Sequence, residues 1–128
     1  MFMIKKEKPL VWVGSSKKDL LALPRSIQGF FGYALYFAQI GNHHADAKPM
    51  KGFGGAGVLE VVEDDEAGTY RSVYTVRFDE AVFVLHCFQK KSKSGIATPK
   101  RDMDIIQARL KMAQAMAKEM RDGKANSH

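Results

Sequence analysis

Disulfides, signal sequences and membrane spans are all missing from this chain. Cys87 is its one cysteine, so no internal disulfide can form, which is the usage expected in a reducing compartment. No stretch approaches the roughly 20 apolar residues that a membrane span requires. The opening residues MFMIKKEKPLVWVG contain too short an apolar run and no small-residue cleavage site, so no signal peptide is predicted. These absences predict a cytoplasmic protein with no membrane partner, in which Cys87 is a small core residue rather than a nucleophile.

Acidic residues are fewer than basic residues. The chain has 20 Lys and Arg residues against 14 Asp and Glu, which gives a formal net charge of +6 at pH 7. Residues 86–101 contain five of these cations and no acid, whereas acids gather in residues 60–66 and 79–80. This distribution predicts a basic side on the molecule and an anionic partner, either nucleic acid or an acidic protein segment.

The length and composition predict a single domain. With 128 residues, 45% of them hydrophobic, the chain can bury roughly two-thirds of its unfolded surface without a disulfide or a metal. We expect residues 1–128 to form this one domain, with an ordered core from about residue 9 to residue 121. Gly123 is predicted to open a disordered polar tail.

The strongest secondary-structure pattern lies in residues 69–95, TYRSVYTVRFDEAVFVLHCFQKKSKSG. Two segments rich in Val, Tyr, Phe and Thr flank the polar pair Asp79-Glu80, which predicts an antiparallel hairpin. Alternation in the first segment predicts that Arg71 and Arg77 share one exposed face, opposite Tyr70 and Tyr74.

Alternation in the second segment predicts one wholly apolar side, made of Phe83, Leu85 and Cys87. The opposite side carries His86 in line with Val84 and Phe88, and it leads to Lys90. A cationic sheet face beside the basic residues 89–94 indicates a phosphate-binding surface. The alternative is a sheet edge that its lysines keep soluble.

Helical spacing of apolar residues marks two segments in the first third of the chain. Residues 15–16 can cap a helix that stops near Pro24, and a second helix runs from Pro24 to a C-terminal stop at Gly41. Gly29 and Gly32 weaken the propensity of this second helix, so we expect them to allow its close approach to a neighbour.

A third helix is predicted to begin at Thr98 and Pro99, with Thr98 as its cap. Further strands are expected at residues 10–13 and 58–62, and Glu60 is expected to pair with Arg71 across strands. The order strand, helix, helix, three antiparallel strands, helix predicts an α+β fold. We expect a two-layer sandwich in which a small, mainly antiparallel sheet carries its helices on one face.

Neither a cofactor nor a metal is expected. His43 and His44 are adjacent, so their side chains would diverge, and no third ligand stands at a suitable spacing. The glycine run in residues 52–57 lacks the Lys-Ser or Lys-Thr that follows in phosphate-binding loops. Residues 42–57 are therefore predicted as a loop.

Four phrases in succession, KPMKGFGG, GVLEVVE, TYRSVYTVRF and VFVLHCFQKKSKSGIATPK, resemble the phage-related branch of the RelE/ParE toxin superfamily, close to the HigB group. The resemblance covers the chain from about Leu10 to Lys118. Proteins of this kind are the toxins of type II toxin–antitoxin systems. RelE-like and HigB-like members cut mRNA in the ribosomal A site, while ParE-like members inhibit DNA gyrase. The resemblance therefore implies an endoribonuclease that blocks translation, with a helix-turn-helix antitoxin, mRNA and ribosomal RNA as its partners.

The resemblance also implies which residues form the site. RNA can be cut without a metal when its 2′-hydroxyl is aligned, a base removes the proton and cations stabilise the transition state. Arg71 matches a family arginine and is expected to clamp phosphate, with Lys51 as a second clamp or the base. His86 is an acid or base candidate, or a partly buried structural histidine. The full prediction names as catalytic Lys51, Arg71, His86 and Lys90, and as RNA- or ribosome-binding Lys48, Arg77, Lys91, Lys93 and Lys100.

One departure from the family pattern leaves the identity of the general acid undetermined. RelE-like toxins often carry a functional tyrosine near the C-terminus, and no tyrosine follows Tyr74 here. Two functions remain after the sequence has been read. One is a ribosome-dependent mRNA endoribonuclease. The other is a non-catalytic protein that inhibits gyrase or serves as a co-repressor bound to its antitoxin.

Overall fold

A computed structural model of the chain describes residues 7–54, 57–90 and 98–125. Its strands are β1 (Leu10–Trp12), β2 (Lys48–Pro49), β3 (Val58–Asp65), β4 (Gly68–Thr75) and β5 (Val82–Lys90). Its helices are α1 (Ser16–Leu21), α2 (Arg25–Gln39) and α3 (Lys100–Ala125). The predicted α+β class is confirmed. The sheet has five strands in the order β1-β5-β4-β3-β2, because the predicted loop contributes the short strand β2.

The centre of the sheet is an antiparallel meander of β3, β4 and β5. Its first turn forms where Asp65 Oδ1 accepts hydrogen bonds from the backbone of Ala67 and Gly68, at 2.8 and 3.1 Å. β1 pairs in parallel with β5, and β2 pairs antiparallel with β3. The predicted partnership of Glu60 with Arg71 is confirmed by a contact of 3.2 Å between Glu60 Oε2 and Arg71 Nη1.

The helices lie on both faces of the sheet, so the prediction that they share one face is wrong. α1 and α2 pack on the face that carries Leu59 and Tyr70. α3 packs on the other face, against Val58, Val73 and Phe83. The physical reason lies in β5, where both alternating sets of side chains are apolar, so each face needs a cover.

A β-bulge in β5 breaks the alternation that the sequence predicted. Val73 of β4 pairs with His86, but its neighbour Tyr74 pairs with Val84, which leaves Leu85 as the extra residue. Val84 therefore faces α2, while both Leu85 and His86 face α3. The predicted grouping of His86 with Val84 is wrong. Because of the bulge, His86 lies on the same face of the sheet as Arg71.

Two helix boundaries differ from the predictions. α3 continues through Gly123 to Ala125, so the polar tail predicted from Gly123 does not begin there, and residues 126–128 lie outside the described part. Thr98 Oγ1 accepts a hydrogen bond from Arg71 Nη1 at 3.1 Å, and α3 begins two residues later, at Lys100. Pro99 precedes the helix, and its carbonyl accepts the backbone N–H of Met103. The predicted limits of α2 at Pro24 and Gly41 are confirmed.

The glycines of this chain serve different purposes. A Cβ on Gly29 or Gly32 would meet nothing within 4 Å, so the prediction that they allow close helix packing is wrong within the described residues. Gly14, between β1 and α1, has a φ of +59°, and a Cβ there would lie 2.7 Å from Arg109 Nε. Gly14 is thus required both by its backbone conformation and by the approach of Arg109.

We therefore expect opposite effects of alanine at these glycines. Gly29→Ala and Gly32→Ala should each raise the free energy of unfolding by about 0.5–1 kcal/mol, because alanine has a higher helix propensity than glycine at an exposed helix position. Gly14→Ala should lower it by about 1 kcal/mol or more, because of the left-handed backbone and the contact with Arg109. Urea denaturation of the three variants measures the direction of the change in the free energy of unfolding for each one. A stabilised Gly14→Ala variant would contradict this account.

Candidate functional site

Arg71 lies at the centre of the site, in a setting that the sequence did not predict. Its side chain is 11% exposed and that of Glu60 is 19% exposed, so the expected exposed arginine is half of a largely buried ion pair. Arg71 Nη1 also donates to Thr98 Oγ1, in the segment just before α3. Its Nε is buried, and no hydrogen-bond partner for it lies among the described residues. The guanidinium is therefore held in place while part of its donor set stays unused.

Two of the predicted lysines join Arg71 around a cavity of about 480 Å³. Lys48 lies in β2, opposite Glu60, and Lys51 follows in the turn after that strand. Glu60, Thr98 and Met103 also line this cavity. Three cations thus face one carboxylate, which leaves the cavity with an excess of positive charge that suits an anionic ligand.

Lys90 lies on the same face, at the end of β5. It is opposite Thr69, one diagonal step from Arg71, whose direct partner in the sheet is Phe88. The side chain is 6% exposed, and within the described part of the chain its Nζ has no hydrogen-bond partner. Burial and the charge of Arg71 lower the pKa of Lys90, and the charge of Glu60 opposes this shift only in part.

His86 is held by α3 in a second cleft, of about 770 Å³, which Lys90 also lines. Its Nε2 lies 2.8 Å from Asp102 Oδ1, in the first turn of α3. The ring stacks on Phe88, with centroids 4.6 Å apart and an interplanar angle of 19°. Nδ1 is buried and has no hydrogen-bond partner in residues 7–54, 57–90 and 98–125. The buried environment agrees with the structural alternative that the sequence left open, and Asp102 is a partner that it did not reveal.

Arg109 fixes the bulge that turns His86 towards α3. Arg109 Nη1 donates to the carbonyl of Leu85, the extra residue of the bulge, at 2.9 Å. Its Nη2 donates to Ser15 Oγ, also at 2.9 Å. One side chain of α3 therefore ties the irregular point of β5 to the start of α1. Sequence reasoning missed Arg109, because neither helical spacing nor charge distinguishes it from the other cations of α3.

Two other predicted residues within the described part of the chain, Arg77 and Lys100, do not join this cluster. Arg77 lies beyond the end of β4, exposed, where its guanidinium is 5.7 Å from the Phe78 ring centroid. It lines a groove with Lys118 and Arg121 of α3, apart from the cavity that Arg71 lines. Lys100 is exposed and pairs with Asp104 at 2.9 Å. Lys91 and Lys93 lie outside the described residues.

The buried hydroxyl and thiol groups near the sheet centre take no part in the site. Burial raises the pKa of Cys87 to about 11 and that of Tyr74 to about 12, so neither ionises near neutral pH. Tyr70, Tyr74 and Cys87 all pack in the core on the α2 side, as the sequence predicted for the tyrosines and for the cysteine.

No metal centre is evident among the described residues, since no three or more His, Cys, Asp and Glu side chains gather there. In the same residues no helix is long and apolar enough to cross a membrane.

The position of Lys90 predicts an unusual stability effect. Lys90→Met should raise the melting temperature at neutral pH, because methionine removes a buried charge that has no partner in the part of the chain that the structure describes. The pKa of Lys90 is lower in the folded protein than in the unfolded chain, so between these two values the unfolded chain binds more protons. Wild-type stability therefore rises with pH towards 10.5, and the advantage of the methionine variant should shrink over that range. Thermal melts of both proteins at a series of pH values measure this; an advantage that grows with pH would contradict it.

Comparison with known families identifies the chain. The family described as Phage derived protein Gp49-like (DUF891) matches residues 18–111, well over half of the sequence, and the match includes Arg71, His86 and Lys90. Comparison with curated proteins finds no match. Gp49-like proteins are associated with the RelE/HigB-like toxins of toxin–antitoxin systems, so an antitoxin partner is implied. The chain belongs to the phage-derived Gp49-like family.

Proposed function

We propose that this toxin is a HigB-like endoribonuclease that cuts mRNA in the ribosomal A site and so stops translation in the cytoplasm. In this proposal the RNA supplies its own 2′-hydroxyl as nucleophile and the protein supplies cations and a proton acceptor. A helix-turn-helix antitoxin would hold the toxin inactive. The family match supports the toxin part of this proposal, and the cationic cavity supports the chemistry.

The observation that carries the proposal is the concentration of positive charge around Arg71. Lys48, Lys51 and Arg71 line one cavity with Glu60 as the carboxylate among them, and Lys90 lies nearby on the same face. An open cationic cavity suits the backbone of single-stranded RNA, whose phosphates carry the charge that dominates nucleic-acid affinity. Lys100, Arg77, Lys91 and Lys93 stay predictions as further contacts to ribosomal RNA.

Arg71 is the group we assign to the phosphate. Its contacts with Glu60 and Thr98 use Nη1 alone, which holds the guanidinium plane and leaves other N–H groups for a ligand. A guanidinium can contact two phosphate oxygens at once, and a preorganised donor stabilises a transition state without reorganising when the charge develops. Lys48 and Lys51 are exposed, so we assign them to neighbouring phosphates.

Induced expression in bacteria tests the function directly. We expect soluble toxin to stop protein synthesis and to create new mRNA 5′ ends within coding regions, because cleavage would take place on translating ribosomes. Amino-acid incorporation and mapping of 5′ ends measure both effects. A gyrase supercoiling assay on the same material tests the alternative target. Normal protein synthesis after verified soluble expression would contradict the proposal.

Substitution of Arg71 separates chemistry from folding. Arg71→Lys keeps the positive charge beside Glu60 but loses the two-point contact with phosphate, so cleavage should fall about 100-fold or more. Arg71→Ala should also lower the free energy of unfolding by about 1–3 kcal/mol, because it leaves the partly buried Glu60 without its partner. Cleavage of programmed ribosomes and urea denaturation measure the two effects.

Arg25→Lys provides the matched control, since Arg25 is exposed at the start of α2, on the opposite face of the sheet. This control should cleave at the wild-type rate. Unchanged cleavage by a folded Arg71→Lys variant would remove Arg71 from the site.

A further inference from the structure

We propose that Lys90 is the proton acceptor of the cleavage reaction and takes the proton of the RNA 2′-hydroxyl as a neutral amine. This inference rests on the proposed function. It assigns to one residue a role for which the sequence offered Lys51 and His86.

The ammonium of Lys90 makes no contact among the described residues that would stabilise the fold. It is 6% exposed, it makes no hydrogen bond within the described residues, and the nearby guanidinium of Arg71 repels it. A buried charge without a partner costs stability, and lysine is almost never fully buried unless it is paired. A group that is unfavourable for folding and that lies beside a candidate site is a functional candidate on physical grounds.

The charges around Lys90 also bear on its protonation. Arg71 of β4 and burial favour the neutral amine, while Glu60 of β3 favours the charged form, and the balance lowers the pKa of Lys90. The cleft that Lys90 lines also contains Arg101 and Asp102 of α3, whose charges oppose each other. Asp19 of α1, Arg109, His86 and Cys87 complete the titratable and charged groups of that cleft among the described residues. The neutral amine is the form that can accept a proton, and the lowered pKa of Lys90 increases its share.

The surroundings of Lys90 suit a proton acceptor better than those of the two other candidates. His86 Nε2 is held by Asp102 and its ring stacks on Phe88, so turning the buried Nδ1 towards a ligand would break the contact with Asp102. Lys51 is exposed in the turn after β2, a setting that suits a contact with phosphate. Lys90 instead has a flexible stem and no hydrogen bond to lose when its Nζ extends towards RNA.

The proposed step balances as follows. The Nζ lone pair of Lys90 takes the proton of the 2′-hydroxyl and becomes an ammonium. The 2′ oxygen forms a bond to the adjacent phosphorus while the bond from phosphorus to the 5′ oxygen breaks. The departing 5′ oxygen takes a proton from water, and the hydroxide so formed takes the proton of the Lys90 ammonium, which restores the neutral amine. The products are a 2′,3′-cyclic phosphate and a 5′-hydroxyl. The positive charge of Arg71 stabilises the negative charge of the phosphate during the reaction.

Lys90→Arg is the decisive variant, because arginine keeps the positive charge and cannot act as a base near neutral pH. We expect it to lose at least 100-fold in the single-turnover rate of mRNA cleavage on programmed ribosomes, with ribosome binding within about threefold of wild type. The wild-type rate should rise with pH as the neutral fraction of Lys90 grows, and the residual rate of the variant should not. A folded arginine variant that keeps more than one-tenth of the wild-type rate would overturn the proposal.

A second variant covers the case in which arginine does not fit the buried position. Lys90→Ala leaves space for a small base, so added ethylamine should restore cleavage and added ethylguanidine should not. Any other pattern of rescue counts against the proposal. The assays also keep the two hypotheses apart. A wild-type toxin that cuts no mRNA contradicts the proposed function, whereas a cutting wild type with a cutting Lys90→Arg variant contradicts only the role of Lys90.

Discussion

The arrangement of this protein depends on the burial of β5 on both of its faces. Val82 and Val84 pack towards α2, while Phe83 and Leu85 pack towards α3, so neither helix layer could be removed without exposing apolar surface. The extra residue at Leu85 then shifts the register of every side chain that follows. This single irregularity puts the polar end of the strand, including His86 and Lys90, on the side of the sheet that holds Arg71.

Much of the fold could be predicted from the sequence, because periodicity and turn residues are local signals. The meander, the limits of α2 and the pairing of Glu60 with Arg71 all follow from alternation, from Pro24 and Gly41, and from charge. The face that α3 covers could not be predicted, because an apolar helix stripe does not say which side of a sheet it meets. The bulge could not be predicted either, since the sequence around Leu85 and His86 fits an alternating strand with or without an extra residue.

The site was harder to predict than the fold, and the reason is that side-chain roles depend on burial. The sequence identified Arg71, His86 and Lys90 as polar residues of a basic surface. It could not show that Arg71 is mostly enclosed, that Lys90 lacks a partner among the described residues, or that Asp102 reaches back to His86. Nor could it show that β4 ends at Thr75, so that Arg77 lies beyond the strand whose alternation was used to place it.

The start of α3 connects the two halves of the site. Thr98, just before the helix, accepts a hydrogen bond from Arg71, and Asp102, in its first turn, contacts His86. Thr98 and Asp102 are four residues apart in sequence, so a displacement of this short segment would alter both contacts together. The positions of the Arg71 guanidinium and of the stacked His86 ring are therefore not independent. Arg109, two turns further along the same helix, holds the bulge in place, so α3 and the segment just before it contact this face of the sheet at three points.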